Sequence, residues 1–311
     1  MRLTFFILIF ILFVSLIGNF FLFFRNPSSG IANIADLKKQ YPLIAQRALL
    51  RQNSNTSNDL ITNILPLRTE IHKIIDPYKD SFALYFEYLP TGTSIGINED
   101  SEFTPASLLK VPVVMAYYYK KERLGLIMAP MVTLTPSELN TRFGDFYKKG
   151  AGQSVSLDEA AKLAIEKSDN TASLVLADYI SDDDYRYVQE GLDIPLDLKG
   201  KAPIITAQQY SSILKALYIS SILNKDDSQE ILDLLSHTDF HDMLPSGIPD
   251  GVTVAHKIGL IDEQIYNDCG IVYVPRRPYL LCMISQSDST TAKSRMKMVS
   301  KTIYDYVAGY R

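Results

Sequence analysis

Tryptophan is absent from the 311 residues, and cysteine occurs only twice. Two cysteines exclude a disulfide-dense small scaffold, and with four histidines they form no set at zinc-finger spacing. An excess of positive charge is also missing. The 31 Lys and Arg face 35 Asp and Glu, for a net charge of −4 and a pI near 5.6. That balance removes the global basic field on which nucleic-acid binding depends. There is no internal repeat. What remains is ordinary globular material, 47% hydrophobic and 21% charged, long enough for one large core, although length alone would admit two domains.

Charge is missing altogether from Leu3 to Phe24, where only Thr4, Ser15, Gly18 and Asn19 interrupt the apolar run. A hydrocarbon core takes about 20 apolar helical residues to cross. A cleaved signal peptide has a shorter apolar stretch and a small-x-small site, and no convincing one precedes Arg25. Residues 1–24 are therefore expected to be a transmembrane signal-anchor, with a cleaved signal as the alternative. Arg2 precedes the run and Arg25, Lys38 and Lys39 follow it, so the positive-inside rule does not orient it.

Residues 25–66 read as a stalk, with Asn26–Gly30, a short helix over 34–50 and the polar stretch Gln52–Asn58. The body is expected over 67–311. Periodicity predicts a helix over 67–75, then strands over Phe82–Tyr88 and Ser94–Asn98. Helices follow over 108–122, 157–166, 171–180, 207–223 and 228–235. Strands over 252–257, 266–274 and 279–285 precede a closing helix over 289–307. The order predicts an α+β fold: a five-stranded antiparallel sheet, terminal helices on one face, and an all-helical subdomain beside it. Cys269 and Cys282 lie in two runs joined by Pro275–Pro278. A hairpin there would let an oxidising compartment bridge them, and two buried free thiols are an equally open reading.

Ser107 and Lys110 are three apart at the start of a predicted helix, so hydroxyl and ammonium share one face. A lysine partly desolvated near the positive end of a helix dipole has its pKa lowered and can take the serine's proton. Pro112 falls in the opening turns, where its missing N–H removes little. The spacing alone is weak evidence, because Ser212/Lys215 and Ser294/Lys297 repeat it. Order decides between them. Only Ser107 is followed by Ser168-Asp169-Asn170 and then by Lys257-Ile258-Gly259 ahead of a strand pair.

S-x-x-K, S-D-N and K-T-G in that order are the set of class A β-lactamases and penicillin-binding proteins. Phe103–Pro112, Ser168–Ala172 and Val254–Val274 resemble the corresponding regions of that family, and the resemblance runs from about Leu67 to the C-terminus. It implies that Ser107 is acylated by a β-lactam or a D-alanyl cell-wall peptide, with Lys110 as its base. It further implies that Ser168 relays a proton to the leaving nitrogen and that Asn170 binds the substrate amide. Lys257 would hold Ser168 and the substrate carboxylate, and Gly259 would line the substrate. The backbone N–H groups of Ser107 and Leu260 would form the oxyanion hole. Neither a cofactor nor a metal is expected. The catalytic domain is expected to be monomeric, outside the cell and tethered to the membrane, because such substrates are found there.

Two departures bear on the chemistry. Ile258 replaces the hydroxyl residue of K-T-G, removing a hydrogen bond to a charged group worth about 1.5–3 kcal/mol. The E-x-x-L-N segment, whose Glu activates the deacylating water in class A β-lactamases, has no match between Ser181 and Ala207, where Asp193 and Asp197 are the nearest substitutes. Ser137–Asn140 comes too early in the chain to supply it. Slow deacylation is expected, with a β-lactam-binding sensor module or a degenerate scaffold as the alternatives. His237 and His241 flank Asp239 at metal-like spacing but read as a surface pair, and His256 adjoins Lys257.

Overall fold

The computed structural model describes residues 38–43, 61, 63–194, 203–262 and 264–310. The expected membrane span at 1–24 lies outside them, and among the described residues no helix is long and apolar enough to cross a membrane. Lys38–Gln40 are helical, and the chain bends at Tyr41 and Pro42, within the helix expected over 34–50. Leu43 and Ile61, inside the range assigned to the stalk, are buried against the body. Leu43 is held there by its N–H to Gln229 at 3.0 Å and by the Tyr273 hydroxyl to its carbonyl at 3.1 Å.

Helix α1 (Leu65–Ile75) opens with Pro66 in its first turn, where a missing N–H costs nothing, and buries Leu67, Ile71 and Ile75 at i, i+4 spacing. Strands β1 (Phe82–Tyr88) and β2 (Thr93–Ile97) pair antiparallel across a turn that uses Gly92 at φ +77°. A 3₁₀ turn over Ala106–Leu109 leads into helix α2 (Lys110–Arg123), and the short strands β3 (Met131–Thr133) and β4 (Ser154–Ser156) pair antiparallel as a separate ribbon. Next come helices α3 (Leu157–Glu166), α4 (Asn170–Tyr179), α5 (Asp182–Leu192), α6 (Ala207–Ile219) and α7 (Lys225–Ser236). Strands β5 (Val254–Ile261), β6 (Ile265–Val272) and β7 (Tyr279–Gln286) precede helix α8 (Ser289–Gly309).

The sheet order is β2-β1-β7-β6-β5, with every neighbouring pair antiparallel. The first and last strands therefore meet, as the sequence order requires. Along β1, Phe82, Leu84, Phe86 and Tyr88 face α1 and α8, where Met296, Val299, Ile303 and Val307 close the core. Each fully buried apolar side chain there contributes about 1.5–3 kcal/mol. The opposite face packs against α6 and α7. Cys269 and Cys282 sit directly opposite each other on β6 and β7 and form a disulfide. Of the two readings the sequence left open, the bridged one is observed.

Helix α5 was not anticipated in the acidic stretch after Ser181. It starts from a capping box in which Ser181 and Asp184 bond each other's backbone, and the buried Asp184 carboxylate then takes Arg123 at 2.7 Å. Helix α2 starts two residues later than the pattern predicts, because residues 106–109 take the tighter turn that carries Ser107.

Candidate active site

Two segments meet over the outer strand β5. Ser107 sits in the 3₁₀ turn before α2, and Ala106, just ahead of it, is held at φ +52°. Ser168 sits at φ +54° just before α4. A left-handed backbone at a residue with a Cβ costs about 1 kcal/mol or more and persists only where the surroundings enforce it. The surroundings are visible at both positions.

Behind Ser107, the Asn267 side-chain amide on β6 donates to the carbonyls of Thr104 at 3.0 Å and Pro105 at 3.3 Å. Gly259, opposite Asn267 on β5, lets the turn approach closely: a Cβ on Gly259 would lie 2.5 Å from the Pro105 carbonyl oxygen. Behind Ser168, the buried Asp169 carboxylate caps α4 through the N–H of Ala172 at 2.9 Å and takes the N–H of Phe146 at 2.8 Å. Gly144 makes room for that carboxylate, since a Cβ there would be 2.0 Å from Asp169 Oδ2.

Between the two segments lies the Lys110 ammonium, 6% exposed as a residue. Its Nζ reaches the Ser168 carbonyl, Asn170 Oδ1 at 2.7 Å, Ser107 Oγ at 3.2 Å and Ser168 Oγ at 3.3 Å. Burial pushes its pKa from 10.5 down to about 8, against the opposing pull of Asp169. Lys257, fully buried on β5, donates to Ser168 Oγ at 2.9 Å and to the Ile258 carbonyl at 3.3 Å. Burial and the neighbouring Lys110 charge hold its pKa well below the usual lysine range, opposed by Asp268. Ser168 Oγ thus bridges two buried amines.

Ser107, Lys110, Ser168, Asn170 and Lys257 therefore converge, and Gly259 packs against the same turn. Leu260 follows on the outer strand, 39% exposed. The other S-x-x-K matches have separate surroundings. Lys215 on α6 pairs with Glu87 at 2.5 Å, and Ser294 and Lys297 lie on α8 beyond the opposite face of the sheet. Ile258 points away from Lys257 into the core beneath the terminal helices. Asp193 ends α5 and lines a separate cavity of about 290 Å³ with Tyr85, Glu87 and Lys215, while Asp197 lies outside the described residues. His237 caps the end of α7, Asp239 pairs with Lys167, and among the described residues no group of three or more His, Cys, Asp and Glu side chains could hold a metal ion.

Asn267, described above, escaped the motif search, and Asp169 fell within Ser168-Asp169-Asn170 without its capping role being read. Asn140, set aside as too early in the chain, accepts from Asn170 Nδ2 on its Oδ1 at 3.3 Å and donates its backbone N–H to Thr171 Oγ1 at 2.8 Å, while Glu138 caps Thr135 instead. His256 is buried, with Nδ1 2.7 Å from Asp268 Oδ1 and Nε2 2.9 Å from Thr238 Oγ1. Phe240 lies 5.8 Å from the Lys257 ammonium and 5.9 Å from the ring of Phe143. An Asn next to a Tyr inside an apolar strand was the one readable signal: a polar side chain there needs an internal partner.

The sequence profile of the beta-lactamase enzyme family matches residues 66–307. The chain belongs to that family. A curated relative in this beta-lactamase family, the beta-lactamase of Bacillus licheniformis, is 22% identical over 251 residues, which covers 76% of this chain and 81% of the relative. Among solved structures, a PBP-A mutant in acyl-enzyme complex with penicillin G superposes with a TM-score of 0.70 at 22% identity, covering 77% of this chain and 95% of that one. The beta-lactamase from Sphaerobacter thermophilus gives 0.71 at 16% identity, covering 78% and 98%. At these identities the superpositions establish the fold, which this beta-lactamase family member shares over 77–78% of its chain.

Proposed function

We propose that Ser107 is the nucleophile of an acyl-transfer reaction with a β-lactam or a D-alanyl cell-wall peptide, and that Lys110 is its general base. The coordination of Lys110 Nζ carries the reading. A neutral amine has two N–H donors and one lone pair. The Ser168 carbonyl and Asn170 Oδ1 accept the two donors, which leaves the lone pair for the Ser107 hydroxyl. Ser168, between Lys110 and Lys257, relays the proton to the departing nitrogen. The buried Lys257 attracts the substrate carboxylate, Asn170 holds the substrate amide, and the N–H groups of Ser107 and Leu260 receive the oxyanion.

Release of the acyl group is slow in this scheme, because no Glu stands in an E-x-x-L-N segment between Ser181 and Ala207. The uncharged run at residues 3–24 anchors the chain and holds the catalytic body outside the cell, where these substrates are found.

The full chain, incubated with penicillin, is followed by intact mass and by loss of drug. The expected result is a penicilloyl adduct that persists for many minutes and disappears in Ser107→Ala. Rapid drug loss without adduct refutes slow deacylation. Absence of both adduct and turnover, with penicillin and with a D-Ala-D-Ala peptide, refutes the catalytic reading and leaves a scaffold.

A further inference from the structure

The loop from Leu124 to Met131, between α2 and β3, exposes large apolar side chains that the fold leaves in solvent. Ile127 is 96% exposed, Met128 82%, Met131 60% and Leu124 48%. From Leu124 to Ser137 the chain carries no charge, so burying this surface would strand none. Scattered apolar residues on a surface need no explanation, but four within eight residues on one projecting loop mark a contact site.

The point where the chain joins the body argues for what covers the loop. Glu122, two residues before it, takes the N–H of Asn224 at the start of α7 at 2.9 Å. Leu43, where the N-terminal segment meets the body, bonds Gln229 on the same helix. Five residues of helix separate Asn224 from Gln229, a rise of about 7.5 Å. The apolar loop and the attachment of the N-terminal segment therefore share one end of the molecule. Between Phe24 and Leu43 the chain can extend about 60 Å at most, so a bilayer holding residues 3–24 is within reach of the loop.

We propose that Leu124, Ile127, Met128 and Met131 form a docking surface that inserts into the interface of a lipid bilayer. The inference rests on the anchor assigned above and adds a second contact to it. Interfacial insertion needs only a few apolar side chains at the level of the headgroups, and a tether raises their effective concentration at the surface. Helix α2 rises about 20 Å from the loop to the turn that carries Ser107. Docking by this end therefore sets the site apart from the lipid.

The sequence contains no tryptophan, so Met128→Trp gives the full chain a single indole. Reconstituted in phosphatidylcholine–phosphatidylglycerol vesicles, this variant is expected to emit to the blue of Met298→Trp in the same vesicles and to lose most of its emission when the lipids carry brominated acyl chains. Met298→Trp, at an exposed position on α8, is expected to keep its emission in the same vesicles. Co-flotation with vesicles but no quenching at position 128 overturns the docking surface and leaves the anchor standing. A blue shift without bromine quenching shows burial against protein and overturns it too, as does equal quenching at both positions. Failure to co-float overturns anchor and docking surface together.

Discussion

A pH titration of the acylation step puts the role of Lys110 at risk. The base must be neutral to accept the Ser107 proton. With its pKa brought down to about 8 by burial, roughly a tenth of the molecules hold it neutral at pH 7. At the ordinary lysine pKa of 10.5 that share would be about one in three thousand, so burial supplies a gain of about 300-fold. Adduct formation on the full chain, quenched in acid at timed intervals and read by intact mass, should rise about tenfold from pH 6 to pH 7 and level off above about pH 8. Lys110→Arg, which cannot lose its proton, should drop the rate by about 10²–10⁴ at every pH without a plateau near 8. A profile flat between pH 6 and 8, or one still climbing tenfold per unit at pH 10, would refute the assignment.

Lys110 also links stability to pH. Its folded pKa lies below the unfolded value, so the destabilisation of about 3 kcal/mol is fully present below pH 8 and is relieved as pH rises towards 10.5. Urea midpoints for wild type should therefore gain on those of Lys110→Met between pH 7 and pH 10. Lys257→Met replaces a fully buried lysine by an apolar chain of similar length and should raise the thermal midpoint at pH 7 while cutting acylation at least about 100-fold. A lower midpoint would mean that its bond to Ser168 outweighs its desolvation. Gly259→Ala forces a Cβ to 2.5 Å from the Pro105 carbonyl and should cost about 1–3 kcal/mol and slow acylation, whereas unchanged kinetics would show that the nucleophile turn can yield. Ile258→Thr puts a hydroxyl into the core on the face away from Lys257, so it should lose about 1–3 kcal/mol of stability and leave second-order acylation unchanged. A rate gain would show that the strand turns this side chain towards the substrate.

The polar and apolar periods sufficed for the sheet, because strands such as Tyr279–Gln286 and the closing helix state their type over many residues. Helix α5 was missed because its stretch opens on three aspartates. The signal was the capping box of Ser181 and Asp184, a feature of the helix start and not of its apolar face. At the site, three motifs in order placed five side chains that do converge. Asn267 and Asp169 act through backbone groups of distant segments and Asn140 through side chains about 30 positions on, and nothing in a local spacing announces such partners. The side of β5 on which Ile258 falls follows from period-two alternation once Lys257 is placed.

The Cys269–Cys282 bond joins residues directly opposite each other in the middle of the sheet. A slip of one residue between two strands turns every side chain to the other face, and for β6 that would carry Asn267 away from the carbonyls of Thr104 and Pro105. The covalent rung is thus an alignment pin two residues from the clamp, and it fixes the address of a serine more than 160 positions earlier in the chain. One covalent bond between β6 and β7 therefore holds those two strands in the register that faces the Asn267 clamp towards the nucleophile turn.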